Sequence, residues 1–278
     1  LIPPQDMIVT LSHAGYIKAQ PVTDYQAQRR GGRGKQAAAT KEEDFIETLF
    51  SANTHDYLLC FTSFGRCHWI KVYKLPQGGR QSRGRPVNNV LELQEGEKIS
   101  AILPVREFID TEYVFMATAN GTVKKTALTD FSRPRTAGII AINLDDNDSL
   151  VGVAKTTGND HVMLFSSNGK AIRFDENDVR AMGRTAAGVR GMKLLDDAKV
   201  ISLLVSNPCE DGACMVLTAT ANGYGKRTPV EDYRLSGRAT QGVIAIDTGE
   251  RNGELIAASL VADSDDLMLI TSGGVLIR

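Results

Sequence analysis

"YVFMATANGTVKKTAL" runs from Tyr113 to Leu128. A β-rich run leads into Asn120-Gly121, and a second β-rich run follows. Asn-Gly between two such runs is the strongest short signal for a tight β-hairpin, because the turn needs backbone angles with φ > 0. The same signal recurs outward in both directions. It appears as "LSHAGYIKA" (11–19), "TSFGRCHWI" (62–70), "SSNGKAIRF" (166–174), "TANGYGKRT" (220–228) and "TSGGVLIR" (271–278). The turn glycines are Gly15, Gly65, Gly121, Gly169, Gly223 and Gly274, separated by 50, 56, 48, 54 and 51 residues. A period of this length marks a repeat architecture.

A second glycine follows each of the first five at offsets of 19, 19, 17, 19 and 19 residues: Gly34, Gly84, Gly138, Gly188 and Gly242. After it comes an apolar alternating run such as "GIIAINL" or "GVIAIDT", and a further β-run such as "KISAILPV" closes the unit. Each unit thus contains about four strands. "KEEDFIETLF" (41–50) fits one helical turn or a strand in this register. Four strands per repeat, five whole repeats and an opening sixth imply an all-β ring of antiparallel blades, with the sixth blade incomplete. We take residues 1–278 as one domain, with repeats at 7–54, 55–111, 112–159, 160–211, 212–265 and 266–278. Two separate sandwiches could use the same strands, but would not require an unbroken period.

Net charge is −1, from 32 basic and 33 acidic residues. The sum argues against a nucleic-acid partner; the distribution argues for one. Arginine stands four residues before the second glycine at Arg30, Arg80, Arg184 and Arg238, and Arg83 lies just before Gly84. In the third repeat that place is Pro134, flanked by Arg133 and Arg135. Three or four residues past the hairpin glycines come Lys18, Lys124, Lys125, Arg173, Lys226, Arg227 and Arg278; the second repeat alone has His68 and Trp69 instead. Cations at fixed steps of a ring would form a belt, the footprint of a long polyanion. "QAQRRGGRGKQAA" (26–38) adds Arg29, Arg30, Arg33 and Lys35 between Gly31, Gly32 and Gly34, with no acid from Gln26 to Thr40. Such a loop suits phosphate contacts and has nothing shaped to read bases.

Other chemistry finds little support. "RGGRGKQ" lacks the first glycine and the Ser/Thr of a nucleotide loop. "DDNDSL" puts Leu150 where a calcium loop needs glycine. Cys60, Cys67, Cys209 and Cys214 include no CxxC pair and read as thiols rather than zinc ligands. No Ser/His/Asp order stands out among His13, His55, His68 and His161. No apolar run approaches the roughly 18 residues of a membrane helix. The chain opens at "LIPPQDMIVTL" without an initiator Met and with no leader pattern, and reads as part of a longer protein.

"QRRGGRGK" resembles the signature box of the C-terminal domain of the DNA gyrase A protein, and "VFMATANGTVKKT" and "NGYGKRT" are similar to that family too. The resemblance implies a six-bladed β-pinwheel, propeller-like with a strand exchanged between neighbouring blades. It implies wrapping of double-stranded DNA on the outer rim, so that ATP-dependent strand passage introduces negative supercoils. By match to the motif, Gln28, Arg29, Arg30, Gly31, Gly32, Arg33 and Gly34 carry the box. It further implies partnership with the N-terminal part of the same polypeptide and with the gyrase B protein, in an A2B2 heterotetramer of the bacterial cytoplasm. Catalysis, ATP and magnesium belong elsewhere in that enzyme, and no cofactor is expected here. The related topoisomerase IV domain, a protein-interaction propeller, and a propeller enzyme with a site in its central channel are the alternatives.

Overall fold

The computed structural model describes residues 1–25, 44–79, 81–206 and 214–262, together with the backbone of 269–270 and 276–277. The first repeat forms β1 (Asp6–Ser12), β2 (Tyr16–Pro21) and β3 (Ile46–Asn53), so "DFIETLF" is strand. The second forms β4 (Tyr57–Thr62), β5 (Arg66–Lys71), β6 (Arg85–Pro86) and β7 (Ile99–Val105). The third forms β8 (Tyr113–Thr118), β9 (Thr122–Ala127), β10 (Ile139–Ile140) and β11 (Leu150–Thr156). The fourth forms β12 (His161–Ser166), β13 (Lys170–Asp175), β14 (Val189–Arg190) and β15 (Val200–Ser206). The fifth forms β16 (Cys214–Thr220), β17 (Gly225–Pro229), β18 (Val243–Ile244) and β19 (Leu255–Ala262), and β20 (Leu269–Ile270) pairs with β21 (Leu276–Ile277).

The sheets do not coincide with the repeats. Their orders are β3-β1-β2-β6, β10-β5-β4-β7, β11-β8-β9-β14, β15-β12-β13-β18 and β17-β16-β19. Each four-stranded sheet is completed by a two-residue strand from the next repeat. The fifth repeat supplies four strands like the second, third and fourth, and its sheet shows three, β17-β16-β19, among the described residues. That sheet's fourth strand would come from a sixth repeat, and there only β20 and β21 are described.

The five described hairpins share one local cause. A Ser or Thr three residues before the turn glycine accepts from the backbone N–H four residues on: Tyr16 N–H to Ser12 Oγ at 3.1 Å, Thr122 N–H to Thr118 Oγ1 at 3.1 Å, Tyr224 N–H to Thr220 Oγ1 at 3.2 Å. At Gly15, Gly121, Gly169 and Gly223 the glycine N–H closes back on that residue's carbonyl, as Gly121 does on Thr118 at 3.0 Å. The glycine takes φ near 90°, which only glycine adopts without strain. Thr62 and Ser166 play the same part at Gly65 and Gly169. Gly274 lies outside the described residues.

The described chain divides into two compact units. The first comprises 1–62, 66–107 and 134–139; its core joins Met7, Val9, Ile17 and Ala19 to Leu58, Cys60 and Ile70. The second comprises 63–65, 108–133 and 140–278. In it Phe115, Val123, Leu164 and Phe174 form one cluster, and Phe165, Ala171, Val216 and Tyr233 another. Within each unit the sheets pack face to face through strands buried on both sides. Cys60 and Cys67 are buried, with burial pushing the Cys60 thiol up to about 12. Cys214 is disulfide-bonded, contrary to its reading as a thiol.

Candidate nucleic-acid interface

The second glycine decides where each donated strand docks. Gly84 and Gly242 take φ of 79° and 77°, and a Cβ there would fall on the carbonyl oxygens of Ile17 and Ala171. The donated strand therefore lies against the second strand of the preceding hairpin, pairing Ile17 with Arg85 and Ala171 with Val243. The loop before the glycine, which carries the periodic arginine, is drawn in with it.

That close approach buries several residues expected at an exposed rim. Lys18 is 1% exposed, and its Nζ donates to the carbonyls of Gly79 and Ser82, both at 2.9 Å. Lys124 is fully buried and donates to Ala141 O at 2.6 Å and to Arg184 O. Burial, reinforced by the nearby Arg184 charge, lowers the Lys124 amine to about 8; burial lowers Lys18 too. Lys125 pairs with the wholly buried Glu176 at 3.5 Å and lies over the Tyr113 ring. Glu176 also accepts from Thr156 Oγ1 and from the backbone of Gly158 and Asp160. Lys124 and Lys125 therefore act as internal staples, buried where the sequence reading expected an exposed rim. An amine that donates to enclosed carbonyls cannot also reach a phosphate.

The arginines are intermediate. Arg173 is half-buried and donates to Val230 O and Tyr233 O, with His161 Nδ1 at 3.0 Å. Arg238 donates through Nε to Asp178 O and through Nη1 to Arg190 O, at 3.1 and 3.0 Å. Arg184 reaches Ile140 O at 3.5 Å, and Arg83 stacks on the Tyr16 ring at 4.2 Å. Their recurrence reflects in part a need to tie one repeat to the next. Gln28, Arg29, Arg30, Gly31, Gly32, Arg33, Gly34, Lys35 and Arg80 lie outside the described residues.

Arg133, Arg135, Lys226 and Arg227 are exposed as expected. Lys226 stands three residues past its glycine, as Lys18 and Lys124 do, but the described residues place no fourth strand over β17. The sequence reading missed Arg85 and Arg190 on the donated strands, and Arg180 and Arg234, all exposed. Arg180 and Arg234 each stand 11 residues past the hairpin glycine (169 to 180, 223 to 234), a spacing that could have found them.

These features define a class: an all-β repeat protein of strand-exchanging antiparallel sheets with the propeller fold. The DNA gyrase C-terminal domain, beta-propeller, is the family whose pattern matches, over residues 6–53, 56–106, 112–157, 160–207 and 215–262. The chain belongs to this family. It is 60% identical over 278 residues to the DNA gyrase A protein of Salmonella typhimurium, covering all of this chain and 31% of that protein. It is 58% identical over 317 residues to the DNA gyrase A protein of Neisseria gonorrhoeae, covering all of this chain and 35% of that protein. The chain thus spans about a third of the length of these relatives. Among solved structures, the C-terminal domain of DNA topoisomerase IV superposes with a TM-score of 0.81 at 29% identity, covering 100% of this chain and 84% of that one. The DNA gyrase A C-terminal domain gives 0.74 at 25%, covering 96% and 86%.

Proposed function

We propose that the chain binds, bends and wraps double-stranded DNA without sequence preference, as one blade-built part of a six-bladed pinwheel in DNA gyrase. In that role it presents DNA to a gate formed by the N-terminal part of the same polypeptide, with the gyrase B protein, in an A2B2 heterotetramer of the bacterial cytoplasm. Strand passage, ATP and magnesium are assigned to the rest of that enzyme.

The observation that carries this reading is the set of exposed cations at matching repeat steps, Arg180 with Arg234, together with exposed Arg85, Arg190, Lys226 and Arg227. Phosphate contacts position a duplex without reading bases. The likeness to a topoisomerase IV domain supports the second reading, a DNA-binding module of that enzyme. The complete "QRRGGRG" box, which resembles the signature of the gyrase family, favours gyrase.

Bending a 20–30 bp stretch by 40–90° costs on the order of 1–6 kcal/mol, so binding and wrapping are separable. Replacing Arg29, Arg30, Arg33 and Lys35 with Ala is expected to lower affinity modestly and abolish bending, read by energy transfer between the ends of a labelled duplex beside a binding isotherm. In the whole enzyme supercoiling should fail and relaxation persist. A mutant that brings the ends together as wild type does assigns wrapping to the remaining cations.

A further inference from the structure

Two repeats break the basic pattern, and both breaks meet in one groove. The second repeat offers His68 and Trp69 on β5 in place of Lys or Arg, and the third offers Pro134-Arg135 in place of a single arginine. All four line a groove of about 730 Å³ within the first unit.

Its lining has three kinds of chemistry. Trp69, Tyr57 and Tyr73 supply half-buried rings. Lys74, Arg85 and Arg135 supply exposed cations, against one lining acid, Glu92. Asn88 and Asn89 supply exposed amides, which donate and accept at once. His68 adds a fourth feature. It is 2% exposed and its ring packs against Gly138, where any Cβ would meet Nδ1 and Cε1. The equivalent Lys18 and Lys124 satisfy their amines on loop carbonyls, but the shorter imidazole leaves its buried Nε2 without a hydrogen-bond partner. Burial and the Arg66 charge lower its pKa, which favours the neutral ring, able to donate or accept.

We propose that this groove holds an unstacked nucleotide, with the base against Trp69 and the phosphate on Arg85 and Arg135. Aromatic faces stack bases of any identity, amides pair with base edges, and guanidinium groups grip phosphate in a fork. An acidic peptide would use the cations but has no base to stack on the rings. The nucleotide comes either from solution or from a single-stranded stretch of DNA. Of the cations that carry the duplex reading above, the groove shares only Arg85.

Trp69 is the only tryptophan, so its emission in the full chain reports the groove directly. Titration with thymidine 5′-monophosphate and with a short oligothymidylate should give saturable quenching. Saturation by both assigns the free nucleotide as sufficient, and saturation by the oligomer alone assigns the strand. Arg85→Ala with Arg135→Ala, both exposed positions, should weaken that binding about tenfold or more. Calorimetry should show Trp69→Phe binding nearly as wild type and Trp69→Ala losing binding with an unchanged circular-dichroism spectrum. The proposal is overturned if neither ligand saturates, if inorganic phosphate produces the same response, or if poly-glutamate competes as well as the oligomer. Duplex binding by Trp69→Ala, measured at the same salt, keeps this failure distinct from failure of the wrapping role.

Discussion

A lysine three residues past a hairpin glycine has two fates in this chain. Where the next repeat lays its strand across the hairpin, as over Lys18 and Lys124, the amine is buried against carbonyls. Lys226, on a strand with no such cover among the described residues, stays exposed. Lys124→Ala should therefore cost about 2–4 kcal/mol in urea unfolding, because two enclosed carbonyls lose their donor. Its amine sits at about 8 in the fold against 10.5 unfolded. Between those values the unfolded chain binds more protons, so folding gains as pH rises from about 8 to 10.5, and the desolvation penalty is fully present below 8. The stability of wild type relative to Lys124→Met should rise over that window, measured by urea titration at each pH. The sequence hid this distinction: "TVKKTA" looks like a solvent-facing strand, and the carbonyl of Arg184 that buries Lys124 lies 60 residues away.

At the scale of the element, the two glycines of each repeat do different work. The hairpin glycine is local and legible, because Ser/Thr and Asn-Gly announce the turn. The second glycine was legible as a period; the strand exchange was implied by the family resemblance alone, since a two-residue strand carries no alternation to read. Gly242→Ala should destabilise by at least about 2 kcal/mol, through strain at φ 77° and a clash with Ala171 O. Gly237→Ala, which meets nothing within 4 Å, should change stability by no more than about 0.5 kcal/mol. Comparing the two melting curves tests the docking role. Glu176 is a second such anchor. It joins Lys125 on β9 to the hydroxyl of Thr156 on β11 and to the turn at Gly158. Glu176→Ala should cost about 3–5 kcal/mol, since it strands a buried amine, and thermal unfolding will read it.

For the molecule as a whole, charge recurrence proved an ambiguous signal. Some recurrent cations hold repeats together, and others face outward. The two groups should part in experiment. Lys226→Ala with Arg227→Ala should leave melting nearly unchanged, lower affinity about equally on every duplex sequence, and flatten the salt dependence by about one unit per lost phosphate contact. A loss confined to particular sequences would argue for base reading and against wrapping. Burial could not be read from spacing alone, because it depends on which backbone the next repeat brings near.

The strand exchange also governs how such a chain is made. A sheet is finished only when the following repeat supplies its last strand, so a nascent chain leaving the ribosome always trails one open edge. The sheet of β1, β2 and β3 is complete only once Arg85 and Pro86 have emerged, Pro86 lying 33 residues after its own last strand ends at Asn53. Each repeat thereby becomes the closing partner of the one before it, and a stall between repeats leaves an unpaired edge able to capture a neighbouring chain.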